Sequence, residues 1–312
     1  MSNRLLYQHP RVFFIEYLEV LRYNLRLLKM EFHLRFITII FISFFTFSTA
    51  LFAQNNATTF TTIGKDVDSI VVKDLSNNKT IYAKGDNKLM RPASLTKIMT
   101  CMLAIESGKM ENIVTITRPM INVEPTILNL KVGDKIKLKD LVHAAMIKSA
   151  NDAAYAIAYY LGKNDEAKFI SMMNQKAKKL GMKNTNFQNP CGFDHNKHKS
   201  TARDLMKLAE YAIKNKTFNA IVKLNKYSFT ATNSKKRFSV YTSNILQRGN
   251  KNVVGLKTGY TRGAGPCLIA RAKKDNKDIL FVMLNASNRW NNAKIVLDTT
   301  MKNPEKKIKK AA

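Results

Sequence analysis

The sequence predicts an α+β fold, in which an antiparallel sheet is flanked by helices. A pair of strand-like runs comes first, a long stretch of helical periodicity follows, and several strand-like runs and one last helix complete the pattern. Strands grouped before and after a block of helices favour an antiparallel sheet, whereas alternating βαβ units favour a parallel one. With 312 residues, 45% of them apolar, the chain is long enough to bury a large core.

The first half of this pattern is a hairpin followed by helices. SIVVKD (69–74) and TIYAK (80–84) have strand character and are separated by polar LSNNK. A helix is predicted over about 94–106, where the apolar residues leave almost no polar face, so it should be buried on nearly all sides. Residues 139–162 are predicted to form two helices that meet near Ser149.

Two more helices precede the second group of strands. They cover about 165–180 and 201–214, and the second opens with Thr201 and Asp204 at the spacing of a capping box. Turns are predicted at 249–250 and 275–276, and a final helix at about 289–301. The strand-like runs after Lys226 are YSFT (227–230), RFSVYTS (237–243), NVVGLKTG (252–259), CLIARAKK (267–274) and DILFVML (278–284).

Residues 1–53 are predicted to be a signal peptide or an N-terminal membrane segment. The 18 residues from Phe36 to Ala53 carry no charge, and Arg35 precedes them. A basic residue before an apolar run is the layout of a secretory signal, which predicts cleavage after Ala53, while an uncleaved membrane anchor stays open as the alternative. The long apolar and basic lead suggests Met30 as the true start.

The chain after this segment is predicted to be exported to the periplasm or to the outer face of the cytoplasmic membrane. It divides into a folded domain, 54–302, and a basic tail, 303–312. We expect the C-terminal residues KNPEKKIKKAA (302–312) to have too little apolar surface to hold a membrane, so that membrane contact would be limited to the N-terminal segment.

Composition excludes several classes of protein. The three cysteines, Cys101, Cys191 and Cys267, are too few and too scattered for a disulfide framework. A net charge of +30 can indicate nucleic acid or an anionic surface as the partner. Because the lysines are spread along the chain, without a basic helix or an aromatic-basic RNA-binding signature, we favour a lysine-rich surface that faces an anionic cell envelope and expect no nucleic-acid partner.

RPASLTKIMT (91–100) places a lysine where a helix disfavours it. Lys97 lies near the start of an apolar helix, where its charge faces the partial positive charge of the helix N-terminus. Burial and the helix dipole both make a lysine lose its proton more easily. Ser94 lies one turn earlier on the same face. A neutral Lys97 could therefore take the proton of Ser94 and make its oxygen a nucleophile.

Ser-x-x-Lys alone is a weak signal, since the chain contains a second copy at Ser76 and Lys79, on the predicted hairpin turn. Context separates the two copies, because only Ser94 opens an apolar helix and has suitable partners downstream. These partners are SAN (149–151), at the break between two helices, and KTG (257–259), at the end of a predicted strand. Each motif taken alone could be a helix cap or a solvated lysine before a turn.

Ser-x-x-Lys, then Ser-x-Asn, then Lys-Thr-Gly is the signature set of penicillin-binding proteins and serine β-lactamases. The sequence most resembles the low-molecular-mass D-alanyl-D-alanine carboxypeptidases, serine peptidases of family S11. The resemblance covers roughly residues 66–300 and extends through ASLTKIMT, SANDAA, NPCGFDHNKHKSTARDL and VGLKTGYTRGAGPCLIA. It implies a β-lactamase/transpeptidase-like fold, with an all-helical region beside the sheet and the active site between them.

The resemblance also implies a role for each motif residue. Ser94 would be the acyl-forming nucleophile and Lys97 its base. Ser149 would pass a proton to the leaving D-alanine, and Asn151 would hold the substrate amide.

The Lys-Thr-Gly strand would bind the other end of the substrate. Lys257 and Thr258, followed by Gly259, would hold the terminal carboxylate, a task suited to a cation beside a hydroxyl donor. The backbone N–H groups of Ser94 and Tyr260 would form the oxyanion hole. If Lys97 is the base, its pKa must fall by roughly 3 units, and we expect burial and the charge of Lys257 to lower it.

Two features argue against other chemistry. A β-lactamase would have a glutamate motif, ExxLN, after Ser-x-Asn, whereas EPTILN (124–129) has one residue too many and precedes it. Cys191, Asp194, His195 and His198 have a spacing that could suit zinc. We favour a polar loop whose histidines bond to backbone groups, since the segment matches a loop of the family that holds no metal. No metal and no other cofactor is expected.

The sequence therefore predicts a serine-type D-Ala-D-Ala carboxypeptidase. Its substrates would be peptidoglycan stem peptides that end in D-Ala-D-Ala, and β-lactams would be covalent inhibitors. A DD-endopeptidase that cuts cross-links would use the same residues and stays open. A β-lactamase, an envelope-binding protein with an inactive site and a basic nucleic-acid binder are less favoured.

Overall fold

The computed structural model describes residues 66–301 without a break, together with Ile63 and residues 21–23, 26–27, 29–30, 32–33, 35–40 and 43. Contacts divide the chain into two compact units, residues 1–58 and 59–312. In the first unit, residues 35–40 are helical. Among the residues that the structure describes, no helix combines the length and the apolar character that crossing a bilayer requires. The predicted cleavage position after Ala53 and the tail 303–312 lie outside the described residues.

Residues 66–301 form nine strands and nine α-helices, with one 3-10 helix at Ala93–Thr96. The strands are β1 (Val67–Asp74), β2 (Lys79–Lys84), β3 (Ile113–Thr115), β4 (Lys135–Lys137), β5 (Lys226–Thr230), β6 (Arg237–Tyr241), β7 (Val253–Thr261), β8 (Gly265–Lys274) and β9 (Lys277–Ala286). The helices are α1 (Lys97–Glu106), α2 (Arg118–Ile121), α3 (Leu138–Ile147), α4 (Asn151–Leu161), α5 (Glu166–Lys179), α6 (Ala202–Ala212), α7 (Lys216–Ile221), α8 (Ile245–Gly249) and α9 (Arg289–Met301).

The predicted antiparallel sheet has five strands in the order β2-β1-β9-β8-β7, and every pair is antiparallel. The strands nearest the chain's two ends thus pair with each other, with Val71 opposite Val282. We predicted five strands after Lys226, but the first two of them, β5 and β6, pair only with each other in a separate sheet. A short pair, β3 and β4, was not predicted.

Both faces of the central strands of the large sheet are buried, and alternate side chains of each strand point to opposite faces. On β9, Ile279, Phe281 and Met283 join the cluster that includes Val296 of α9. Their neighbours, from Leu280 to Leu284 at every second position, join the larger cluster that contains the other helices. The sheet is therefore covered by α9 on one face and by the helical region on the other.

The helix that carries the first motif lies inside this helical region. Every residue of α1 from Lys97 to Met102 is buried, as its uniformly apolar sequence predicts. We expected the helix to begin at Ser94, but residues 93–96 form a 3-10 turn and the α-helix begins at Lys97. Such tighter turns are frequent at helix ends, and here the turn begins at Ala93, whose φ of +48° is outside the helical range.

Candidate active site

Ser94 and Lys97 lie side by side at the start of α1. The Lys97 ammonium donates to Ser94 Oγ over 2.9 Å and to the Cys191 carbonyl over 2.8 Å. Two residues three positions apart in a helical turn face the same side, which explains the approach. The Lys97 side chain is fully buried, whereas Ser94 is partly exposed.

The position of Lys97 lowers its pKa from 10.5 to about 8. Burial is the cause, because it removes the water that would stabilise the charged form, while Cys191, Cys101 and Asp152 act in the opposite direction. The predicted direction is therefore present. The charge of Lys97 also contributes to lowering the pKa of Lys257, and because repulsion between two cations is reciprocal, it disfavours the charged form of both lysines.

The Ser-Ala-Asn motif lies at the predicted break between α3 and α4. Ser149 has a φ of +68°, which costs a non-glycine residue energy and is typical of functional sites. Asn151 starts α4 and is buried. Its backbone N–H donates to Thr126 O over 2.7 Å, and its side-chain amide donates to Glu124 O over 2.8 Å. This asparagine thus fixes the loop before β4.

The Lys-Thr-Gly motif lies on β7, an edge strand of the large sheet. Lys257 is 1% exposed and donates to Thr258 O over 2.9 Å, and burial is the largest cause of its lowered pKa. The Thr258 hydroxyl bonds to Ser243 Oγ over 2.7 Å. At Gly259 the strand passes so close to the first motif that a Cβ there would lie 3.1 Å from Ser94 N.

The first two motifs, and Tyr260 directly after the third, border a cleft of about 1100 Å³. Ser94, Ser149, Asn151 and Tyr260 line it, and Tyr260 is 65% exposed. Lys97 is buried behind Ser94. The structure thus brings together motifs that are more than 160 positions apart in the sequence, leaving one partly exposed nucleophile beside a lysine whose pKa is lowered.

The family model of peptidase S11, D-alanyl-D-alanine carboxypeptidase, matches residues 56–288. The chain belongs to this family. The predicted family and fold class are confirmed, since solved structures of DD-peptidase type share the fold.

Among the similar S11 relatives, the D-alanyl-D-alanine carboxypeptidase DacF of Bacillus subtilis is 33% identical over 79% of this chain and 64% of its own length. DacC of Escherichia coli is 33% identical over 71% and 57%. The D-alanyl-D-alanine endopeptidase of Escherichia coli is 34% identical over 71% and 72%. The chain thus spans about three fifths of the length of the first two relatives.

Two solved structures give the same fold. The Streptomyces K15 DD-transpeptidase superposes with a TM-score of 0.71 and 27% identity over 76% of this chain and 97% of that one. Penicillin-binding protein D2 of Listeria monocytogenes, solved in the ampicillin-bound form, has a TM-score of 0.66 and 26% identity over 76% and 98%.

The site of this S11 chain includes two positioning residues that the sequence reasoning did not single out. Gly192 has a φ of +93°, and a Cβ at this position would overlap the Ala93 carbonyl, so the loop can approach Ser94 only with glycine here. Asp152 is buried and accepts from Leu128 N and Leu130 N. Both residues lie in segments that carry the family resemblance, Gly192 in NPCGFD and Asp152 in SANDAA, so the sequence could have indicated them.

The segment with zinc-like spacing packs against the same site. His198 is buried and its Nδ1 accepts from Gln188 N, so the neutral ring carries its proton on Nε2, which bonds to Thr96 Oγ1 over 3.0 Å. Burial lowers the pKa of His198 to about 4. Asp194 accepts from Thr261 Oγ1 and Gly263 N. Within the described ranges, no group of three or more His, Cys, Asp or Glu side chains is placed to hold a metal.

Proposed function

We propose that the chain is a serine-type D-Ala-D-Ala carboxypeptidase, which removes the terminal D-alanine from peptidoglycan stem peptides through an acyl-enzyme. The observation that carries this proposal is the 2.9 Å bond from Lys97 to Ser94, because a fully buried lysine with a pKa of about 8 can serve as a base near neutral pH. Membership of the S11 family supports the choice of substrate.

Acylation begins when neutral Lys97 accepts the Ser94 proton and the serine oxygen attacks the carbonyl carbon of the penultimate D-alanine. The negative charge that develops on the carbonyl oxygen is stabilised by the backbone N–H groups of Ser94 and Tyr260. Ser149 donates its hydroxyl proton to the leaving nitrogen and recovers a proton from protonated Lys97, so that D-alanine departs with a neutral amine, Lys97 is neutral again and an ester remains on Ser94. Water, activated by the same base, then hydrolyses the ester.

The substrate is held from two sides of Ser94. The Asn151 side chain already donates to Glu124 O, which orients its amide oxygen to accept the substrate N–H. The terminal carboxylate binds the Thr258 hydroxyl, and the buried Lys257 supplies the positive charge. Gly259 allows β7 to lie close to Ser94. Because burial favours neutral Lys257, an incoming carboxylate would favour its protonated form and couple binding to proton uptake.

A DD-endopeptidase is the second candidate. It is favoured by one observation: the chain covers 72% of the Escherichia coli endopeptidase, more than it covers of DacF or DacC. Both reactions attack the same type of bond and would use the same residues. A β-lactamase, a non-catalytic envelope protein and a nucleic-acid binder have no comparable observation in their favour.

Product analysis on purified muropeptides separates these functions. A carboxypeptidase releases free D-alanine from uncross-linked pentapeptides, whereas an endopeptidase converts cross-linked dimers into monomers. We expect free D-alanine as the main product and none with Ser94→Ala. Monomers without free D-alanine would favour the endopeptidase, and activity that survives in Ser94→Ala would contradict both.

We infer that the mature protein acts outside the cytoplasmic membrane, because its proposed substrate lies there and residues 1–53 have the basic-then-apolar layout of a secretory signal. We propose that residues 54–302 are the catalytic domain and 303–312 a basic tail. N-terminal sequencing of the native protein should give a start near Gln54. Recovery of the whole chain from the cytoplasm would contradict export.

A further inference from the structure

The cleft extends well beyond the space that a terminal dipeptide needs. Its volume of about 1100 Å³ reaches the upper end of the range of about 300–1000 Å³ that is typical of sites for whole drug-sized ligands. Tyr155, Tyr159 and Glu166 also line it, and none of them belongs to the motifs that the mechanism uses. This wall of three residues has no role in the acylation described above.

The spacing along α4 connects this wall to the substrate amide. Asn151, Tyr155 and Tyr159 recur every four residues, so they lie on one face of the helix and all line the cleft. At a rise of about 1.5 Å per residue, Tyr155 lies about 6 Å beyond Asn151 along the helix. An extended peptide advances about 3.3–3.6 Å per residue, so the wall is within reach of the residue that precedes D-Ala-D-Ala.

Glu166 supplies a negative charge on this wall. Partial burial raises the pKa of its carboxyl group, while the nearby Tyr155 hydroxyl acts in the opposite direction. Within residues 66–301 no ion pair is formed by Glu166, although the chain has 52 Lys and Arg against 22 Asp and Glu.

The other charged side chains of the cleft are engaged or exposed. Asp194 accepts from two donors of the β7–β8 turn and lies 3.8 Å from the Arg91 guanidinium. Glu124 is exposed, and so are Arg118 and Arg262, the two cations that line the cleft. Of the carboxylates that line the cleft, Glu166 is therefore the one that would lose the least hydration when it binds a cation.

Aromatic rings complete the wall. The centroids of Tyr155 and Tyr159 are 6.4 Å apart, and those of Tyr155 and Phe193 are 6.3 Å apart. All three residues line the cleft. Aromatic faces attract ammonium groups, and their apolar edges hold the methylene chain that carries such a group.

We propose that Glu166, Tyr155 and Tyr159 form a subsite for a primary ammonium group on the side chain of the residue that precedes D-Ala-D-Ala. This proposal rests on the proposed function, since it names a substrate feature read by the same cleft. Glu166 also lies in the first turn of α5, where a negative charge stabilises the helix. A purely structural role would affect all substrates equally.

The test uses two acyl-lysyl-D-Ala-D-Ala peptides that differ only in the lysine ε-amine, which is free in one and acetylated in the other. We expect wild type to have a kcat/KM about ten- to hundredfold higher for the free amine, the range of one charge-assisted hydrogen bond. In Glu166→Gln this preference should disappear through loss of activity on the free amine alone. The matched control is Glu111→Gln, which removes the same charge from an exposed residue paired with Lys137 and Lys139.

For wild type and both variants, the rate of penicillin acylation reports on the catalytic residues and the thermal midpoint reports on stability. Unchanged acylation and an unchanged midpoint in Glu166→Gln, with the preference lost, support the subsite. Equal activity of wild type on both peptides overturns it without any variant, and so does an equal loss on both in Glu166→Gln. If wild type acylates with penicillin but releases D-alanine from neither peptide, the proposed function itself fails, and the subsite with it.

Discussion

The spacing Ser-x-x-Lys occurs twice in this chain and forms a different structure each time. At Ser76 and Lys79 it spans a hairpin turn: the serine hydroxyl donates to Asp74 Oδ1 over 2.6 Å, and both residues are exposed. At Ser94 and Lys97 it spans the start of a buried helix, and the lysine donates to the serine. The same spacing thus forms a solvent-exposed turn at one position and a nucleophile beside a buried base at the other.

The difference comes from what surrounds each copy. The hairpin β1–β2 lies at the sheet edge, where β2 is almost wholly exposed, so a lysine there keeps its water. Helix α1 is enclosed by other helices, so Lys97 is desolvated and its pKa is lowered. Burial, and not the motif, makes the second copy reactive.

Removing the nucleophile should have the largest effect. Penicillin mimics the D-Ala-D-Ala amide, so it should acylate Ser94 and remain attached, and Ser94→Ala should abolish the adduct. Ser76→Ala should leave labelling unchanged. Mass spectrometry of penicillin-treated protein measures both, and a stable adduct on any other residue would contradict the mechanism.

Removing the base should have the next largest effect. We expect Lys97→Ala to slow penicillin acylation by about 10²–10⁴-fold, the range typical of general-base catalysis, while circular dichroism shows a folded protein. Lys79→Ala is the matched control and should acylate at the wild-type rate. Undiminished labelling in Lys97→Ala would show that another group deprotonates Ser94.

Lys257 extends the comparison to a buried lysine outside either Ser-x-x-Lys copy. Loss of its charge-assisted interaction, about 1.5–3 kcal/mol, should lower kcat/KM for D-Ala-D-Ala peptides in Lys257→Ala by about 10- to 150-fold. The variant should treat the free-acid and amide forms of a peptide equally. A preference for the free acid as strong as that of wild type would remove Lys257 from carboxylate binding.

The pH dependence should follow Lys97. Its pKa is lowered to about 8, so the neutral, basic form is scarce below pH 8 and predominates above it. The rate of penicillin acylation should therefore rise about tenfold from pH 7 to pH 9 and then level off, a rise that Lys97→Ala should lack. A rate that still climbs steeply above pH 10 would indicate a lysine with an ordinary pKa.

The smallest effect is expected at the hairpin copy and concerns stability alone. Ser76→Ala loses the bond to Asp74 and should lower the free energy of unfolding by about 1 kcal/mol, with acylation intact. Urea denaturation measures the change. If Ser76→Ala altered acylation without altering stability, the contrast between the two copies would be wrong.

Much of the fold follows from local patterns. Short apolar runs predict β1, β8 and β9, and the nearly uniform apolarity of α1 predicts that it is buried, because composition and length are properties of each segment. The separate pairing of β5 with β6 was not predictable in this way. Strand character does not specify the partner, which depends on how distant segments pack.

The same division holds at the active site. The sequence alone determined the three motifs, the family and the neighbourhood of Ser94 and Lys97, since helical geometry fixes residues three positions apart. The apolar sequence of α1 already predicted that Lys97 is buried. Only the tertiary structure decided that Lys257 is desolvated, that Gly192 lies against Ala93, and that Glu166 lines the same cleft as Tyr155. Neighbouring residues determine local geometry. The desolvation that shifts a pKa instead requires segments far apart in the chain to pack around one side chain.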